Sequence, residues 1–143
     1  MRVRRSARPA PPSVRNLMRP LSVTAAPEEL LAHVADRMRA AGAGAAAVIA
    51  GSELVGVLTE RDLVRAMTAG PGHEPLVVEY MTPEPCTVGP DLDAREAAGI
   101  MAERGIRHLP VVEGGLAIGF ISARDLLELQ RTPTGEAFSG EPW

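Results

Sequence analysis

The chain has 143 residues, a net charge of −3 at pH 7 and 45% hydrophobic residues. That suits one compact domain or two small half-domains sharing a core, and it gives no overall electrostatic push toward nucleic acid. Aromatic residues make up only 3% of the chain, so the core must be built from Val, Leu, Ile, Ala and Met.

The first residues, MRVRRSARPAPP, are basic with no apolar run behind them, so no secretory signal is expected. Residues 1–19 hold six arginines and no acid, but no interleaved aromatics. A solubilising tail is the preferred reading, and nucleic acid is not an expected partner. The ends, about 1–13 and 132–143, are rich in Pro, Ser, Gly, Arg or Glu and read as flexible tails. The most apolar stretch, AGAGAAAVIAG, is too short and too glycine-rich to span a bilayer. The single cysteine, Cys86, excludes an internal disulfide and fits a reducing cytoplasm.

The chain repeats itself at an offset of 63 residues, without a gap from Met18 to Ala66. Met18 meets Met81, Pro20 meets Pro83, Gly42 meets Gly105, Gly56 meets Gly119, and RDL at 61–63 meets RDL at 124–126. Two copies of one supersecondary unit follow, repeat 1 over 14–70 and repeat 2 over 77–131, joined by a linker over 71–76.

Each copy begins with a Met-x-Pro turn and a very short extended piece, around Val23-Thr24 and Cys86-Thr87. A helix comes next. Leu31, Val34, Ala35 and Met38 fall at the spacing of one buried face, as do Ala94, Ala97, Ala98 and Met101. Asp93 and Glu96 fit a capping box, and Gly42 and Gly105 stand where C-cap glycines belong. Two short apolar runs then read as a hairpin, AAVIA with LVGVL in copy one and LPVV with LAIGFI in copy two. Gly56 and Gly119 interrupt the second strands, which points to close approach by a ligand or another backbone. A second helix starts at Thr59 or Ser122. The expected fold is α+β: two β-α-β-β-α repeats packed sheet against sheet as a pseudo-twofold pair, helices outside.

Thr59 precedes Asp62 by three residues, as Ser122 precedes Asp125. Such a pair is ordinarily a helix cap, the hydroxyl bonding a backbone amide and the acid favouring the positive helix end. Its recurrence at equivalent places, each behind a glycine-bearing strand, points beyond capping. A short carboxylate there can accept two hydrogen bonds from a ribose diol, and hydroxyl and amides can face a phosphate. The remaining polar residues suggest no chemistry of their own. His33 and His73 lack metal-ligand partners at suitable spacing, Cys86 has no base beside it, and neither a P-loop nor a nucleophile elbow is present.

Two repeats ending in Gly-apolar-apolar-[Ser/Thr]-x-x-Asp, with YMTPEPCTV, AAGIMAERGIRHLPVVE and AIGFISARDLL, resemble a tandem cystathionine-β-synthase (CBS) domain pair, or Bateman module, over about residues 14–131. The resemblance implies a stand-alone regulatory module, not an enzyme, with no resident cofactor. It implies clefts between the repeats that take AMP, ADP, ATP, S-adenosylmethionine or a related adenosine ligand. In copy two, Asp125 would hold ribose and Ser122 the ribose or phosphate. Ile106, Arg107 and His108 would frame base and phosphates, Pro110 would shape the start of its strand, and Cys86 and Thr87 would line the entrance. Copy one keeps Thr59 and Asp62, but GAGAAAVI replaces GIRHLPVV, so it lacks the basic pair and the proline. Arg61 and Arg124 are candidate ligand contacts or partners of local acids. A homodimer and an unidentified regulated protein are the expected partners. The competing reading is a ligand-free, stress-type CBS dimer that serves as a structural or interaction protein.

Overall fold

Residues 10–130 are described by a computed structural model of the chain. The expected tails lie outside the described residues, apart from residues 10–13. Among these, Pro12 is already anchored, its carbonyl accepting the Ala94 N–H at 2.9 Å.

The long helix of each repeat forms where apolar spacing demands it. Helix α2, Leu31–Ala41, buries Leu31, Val34 and Met38, and helix α5, Ala94–Arg104, buries Ala94, Ala97 and Met101. Both end on a glycine in the left-handed region, Gly42 at φ 63° and Gly105 at φ 64°, a conformation that costs glycine little. The capping box expected from Asp93 and Glu96 is replaced by a simpler cap. Asp93 accepts from the Arg95 N–H at 2.8 Å and is also held by the Arg95 guanidinium at 2.8 Å. That pull turns its carboxylate toward the second helical residue and away from the third.

Each long helix leads into a hairpin. Strands β3 (Ala45–Ala50) and β4 (Glu53–Thr59) pair antiparallel, as do β6 (His108–Glu113) and β7 (Leu116–Ser122). Both pairs bulge at equivalent places, Val48/Ile49 and Val111/Val112. The second hairpin turns through Gly114 and Gly115 at φ 59° and 80°, the positive values that a two-residue turn between strands requires. The expected short extended pieces occur one residue later than read. Strand β2, Thr24–Ala25, lies parallel to β3, and its counterpart is a single bridge from Val88 to Val111.

The Met-x-Pro stretches, read as turns, do something else. Each follows a short helix, α1 (Val14–Leu17) or α4 (Val77–Tyr80), and becomes a strand on the sheet of the other repeat. Strand β1, Arg19–Pro20, pairs with β7, and strand β5, Thr82–Pro83, pairs with β4. Proline is suited to such an edge because it has no N–H to donate. The sheets are therefore β2-β3-β4-β5 and β1-β7-β6. The cores are exchanged as well. Val14 is fully buried among repeat 2 residues such as Ala97, Leu109 and Ile121, and Val77 among repeat 1 residues such as Val34, Val48 and Leu58. Burying a side chain of this size contributes about 1.5–3 kcal/mol, so each repeat is completed by the segment that leads the other.

The opposite sheet faces are covered by the neighbouring repeat. Ala46, Val48 and Leu58 belong to the core beneath α2, yet Ala45, Ala47 and Val57, which alternate with them, are buried too. Across this seam a side-chain carbon at Gly44 would sit 2.9 Å from His108 Nε2. The second helix is α-helical only in repeat 1, as α3 (Glu60–Ala66); in repeat 2 it is a 3-10 helix over Asp125–Gln130. No helix among the described residues is long and apolar enough to cross a membrane.

Candidate functional site

Asp62 and Asp125 are the only buried charged residues among those described, each 8% exposed. Burying a carboxylate is costly unless its oxygens are hydrogen-bonded, and the way these two are bonded defines the site. Thr59, at the end of β4, donates its N–H at 2.8 Å and its hydroxyl at 3.1 Å to Asp62 Oδ2. Ser122, at the end of β7, donates its N–H at 2.8 Å and its hydroxyl at 2.9 Å to Asp125 Oδ2. A carboxylate oxygen offers two lone pairs. In both repeats Oδ2 is thereby filled, and Oδ1 is left for other partners.

At Oδ1 the repeats part company. Arg19, from β1, donates its Nε–H to Asp125 Oδ1 at 3.0 Å. In repeat 1 the nearest cation is Arg65, 3.5 Å from Asp62 Oδ1, longer than a good hydrogen bond. Arg65 also stacks over Tyr80 at 5.5 Å and donates to the Tyr80 carbonyl at 2.9 Å. Neither arginine stands out in sequence. Arg19 could be found only by knowing that Pro20 lies across from Gly119, a pairing set by tertiary structure.

The other expected residues of copy two gather around the same loop. His108 is the register partner of Ser122, Pro110 that of Phe120, and the Arg107 carbonyl accepts the Ala123 N–H at 2.9 Å. Pro110 is fully buried and its carbonyl accepts the Val88 N–H at 3.1 Å, which brings the Cys86–Thr87 segment alongside. Ile106 and Cys86 pack against the repeat 2 core. Thr87 and the side chains of Arg61, Arg107 and Arg124 face solvent, and none of these arginines forms an ion pair among the described residues. Copy one builds the same backbone with less on it. Ala45 pairs with Thr59, and the Gly44 carbonyl accepts the Glu60 N–H at 3.2 Å.

His108 lies between the two motifs. Burial lowers its pKa, against the pull of Glu60 from repeat 1 and Asp125 from repeat 2, while Arg107 lowers it further. Its ring meets Phe120 edge-on at 6.5 Å. An open depression of about 410 Å³ lined by Thr24, Glu29, Arg37 and Ile49 lies elsewhere on repeat 1 and contains none of these groups. The polar convergence is at the two aspartates, which makes them the candidate site on hydrogen bonding rather than on cavity size.

The comparisons with known proteins agree with this architecture. The family model described as "CBS domain" matches residues 14–69 and again 77–131. Inosine-5'-monophosphate dehydrogenase of Korarchaeum cryptofilum is 38% identical over 112 residues, 78% of this chain but 23% of that protein. The chain likewise spans 57% and 62% of two further archaeal relatives. The CBS domain-containing protein YhcV of Bacillus subtilis is 30% identical and matches 80% of this chain and 82% of its own length. Among solved structures, the CBS domain protein PAE2072 from Pyrobaculum aerophilum, complexed with AMP, superposes with a TM-score of 0.73 at 26% identity, covering 80% of this chain and 89% of that one. Two matched segments, one strand exchanged into each sheet and the repeated hydroxyl-carboxylate pair lead to one assignment: the chain belongs to the CBS domain family and carries two CBS domains in tandem.

Proposed function

We propose that this chain is a non-catalytic regulatory module that binds an adenosine-containing ligand, AMP, ADP, ATP or S-adenosylmethionine, between its two repeats. The observation that carries this reading is the pair of buried aspartates at equivalent hairpin ends, each with one oxygen capped and the other directed to further partners. A ribose diol supplies the two donors such an oxygen can accept. The AMP complex of the Pyrobaculum aerophilum relative supports the ligand class. Arg107 and His108 serve the phosphates of a copy-two ligand, with Ile106 against the base, Pro110 shaping the start of its strand, and Cys86 and Thr87 at the entrance.

Signalling follows from differential affinity. A ligand that contacts both repeats favours the arrangement in which it binds best, and shifts a conformational or oligomeric equilibrium by that difference and no more. Val64 and Leu127 on the second helices, and Met67 just after α3, leave apolar surface exposed, a surface that a twofold partner covers in a homodimer. The protein acts in the cytoplasm on a separate regulated protein. The rival reading, an interaction dimer with vestigial pockets, draws on the Arg19 contact at Asp125 and on the missing basic pair in copy one.

A thermal-shift panel of adenosine, AMP, ADP, ATP and S-adenosylmethionine separates the two. A ligand binding only the folded state raises stability by RT ln(1 + [L]/Kd), about 2.7 kcal/mol at one hundred times Kd. A rise in melting temperature that saturates with one of these ligands supports the sensor. No rise with any of them at millimolar concentration supports the interaction dimer.

A further inference from the structure

The two aspartate sites differ most at the second carboxylate oxygen, Oδ1. Asp125 Oδ2 is filled by the Ser122 N–H and hydroxyl, and Oδ1 already accepts the Arg19 Nε–H at 3.0 Å. One lone pair is left, and a ribose diol needs two acceptor positions for its two hydroxyl donors. Asp62 Oδ2 is filled in the same way by Thr59, but its Oδ1 has Arg65 no nearer than 3.5 Å and keeps both positions. The residue equivalent to Arg19 at the 63-residue offset is Thr82, short and uncharged, on the strand that crosses β4.

We propose that Arg19 is a specificity-determining latch on the copy-two pocket: it contests the ribose diol for Asp125, so that copy two admits a nucleoside only when the guanidinium swings away. This rests on the reading of Asp125 as the ribose carboxylate. The arginine is the partner that moves. Its side chain is 75% exposed against 5% for Asp125, so it can rotate into water while the carboxylate stays tied to Ser122. Strand β1 need not move, because it is held to β7 by its own backbone at Arg19↔Phe120 and Pro20↔Gly119. Copy one has no such contest, and is the pocket that an uncharged nucleoside fills first. The basic pair of copy two then acts on phosphates, while the latch acts on the sugar, so the two pockets sort ligands by different groups.

The test uses the full chain in an Asp62→Ala background, which leaves copy two as the binding pocket, with adenosine as the probe in calorimetry. Adding Arg19→Ala, or Arg19→Met to keep the stem, is expected to tighten adenosine binding about two- to fivefold, the range for an ion pair with an exposed arginine. The gain is expected to vanish with 2′,3′-dideoxyadenosine, which has no diol to contest. Unchanged or weaker adenosine binding in both Arg19 variants overturns the latch while adenosine binding itself stands. A gain that persists with the dideoxy analogue also overturns it. If neither adenosine nor AMP binds any variant or the unmodified chain, the ribose reading of Asp125 fails first, and the latch with it.

Discussion

Replacing Gly119 with alanine tests the strand exchange that completes each sheet. An added carbon at Gly119 would lie well inside contact distance of the Arg19 carbonyl oxygen, 3.2 Å from the Arg19 carbonyl carbon and 3.4 Å from Pro20 Cα. All three atoms are backbone, so no side-chain rotation relieves the clash and β1 must shift off β7. Overpacking of this kind costs about 1–3 kcal/mol. At roughly 3 °C per kcal/mol for a chain of this size, the melting temperature should fall by about 3–9 °C. Gly56→Ala is the internal comparison. Its carbon would meet Met81 Sδ at 2.5 Å and the Thr82 carbonyl at 3.1 Å; the sulfur can swing aside, so the loss should be smaller. Gly99→Ala should have the opposite sign. That glycine lies exposed within α5 with nothing within 4 Å of an added carbon, and alanine there should stabilise by about 0.5–1 kcal/mol. Scanning calorimetry of the three variants decides the matter. A Gly119→Ala protein that melts with the unmodified chain, or above Gly56→Ala, would refute the close backbone crossing.

Other predictions concern charge, ligand and assembly. Burial holds His108 below its ordinary value, with Glu60 and Asp125 raising it in part and Arg107 lowering it. Between the folded and ordinary values the unfolded chain binds more protons, so stability should be complete above about pH 6.5 and decline as pH falls through that window. His108→Gln should flatten the decline in melts from pH 5 to 7, and an undiminished slope would show that another group is responsible. Arg107→Ala should weaken nucleotides more than adenosine, increasingly with phosphate number, because guanidinium-phosphate bonds are charge-assisted; equal losses in titration would remove Arg107 from the phosphate site. Light scattering at micromolar concentration should report a homodimer, and a monomer would leave Val64, Met67 and Leu127 without the assigned cover.

Much of this architecture can be read from local pattern. The buried faces of α2 and α5, the C-cap glycines, both hairpins and the Thr59/Asp62 and Ser122/Asp125 pairs depend on residues a few positions apart, and sequence spacing encodes them directly. The glycines at 56 and 119 signal a close approach, but sequence does not say of what; the structure puts the Arg19–Pro20 backbone against Gly119, and the Met81 side chain with the Thr82 carbonyl against Gly56. What eluded the sequence is non-local. The Met-x-Pro segments carry no hydrophobic periodicity, being two-residue strands whose pairing is fixed by α1 and α4 packing into the other repeat's core. Arg19 lies 106 residues from Asp125, and no local rule joins them. Asp93 shows a subtler limit: the spacing to Glu96 fits a box, yet the neighbouring Arg95 guanidinium claims the carboxylate.

The proposed role of the two buried aspartates is to hold the sugar of an adenosine ligand. Its most direct measurement is calorimetric titration of AMP into the unmodified chain, Asp62→Ala, Asp125→Ala and the double variant, each shown to be folded by circular dichroism. Losing a hydrogen-bonded charged contact costs about 1.5–3 kcal/mol, or roughly ten- to a hundredfold in affinity. A ribose role predicts a loss of that size at the altered site in each single variant and no measurable binding in the double variant. A folded double variant that binds AMP as the unmodified chain does would contradict it.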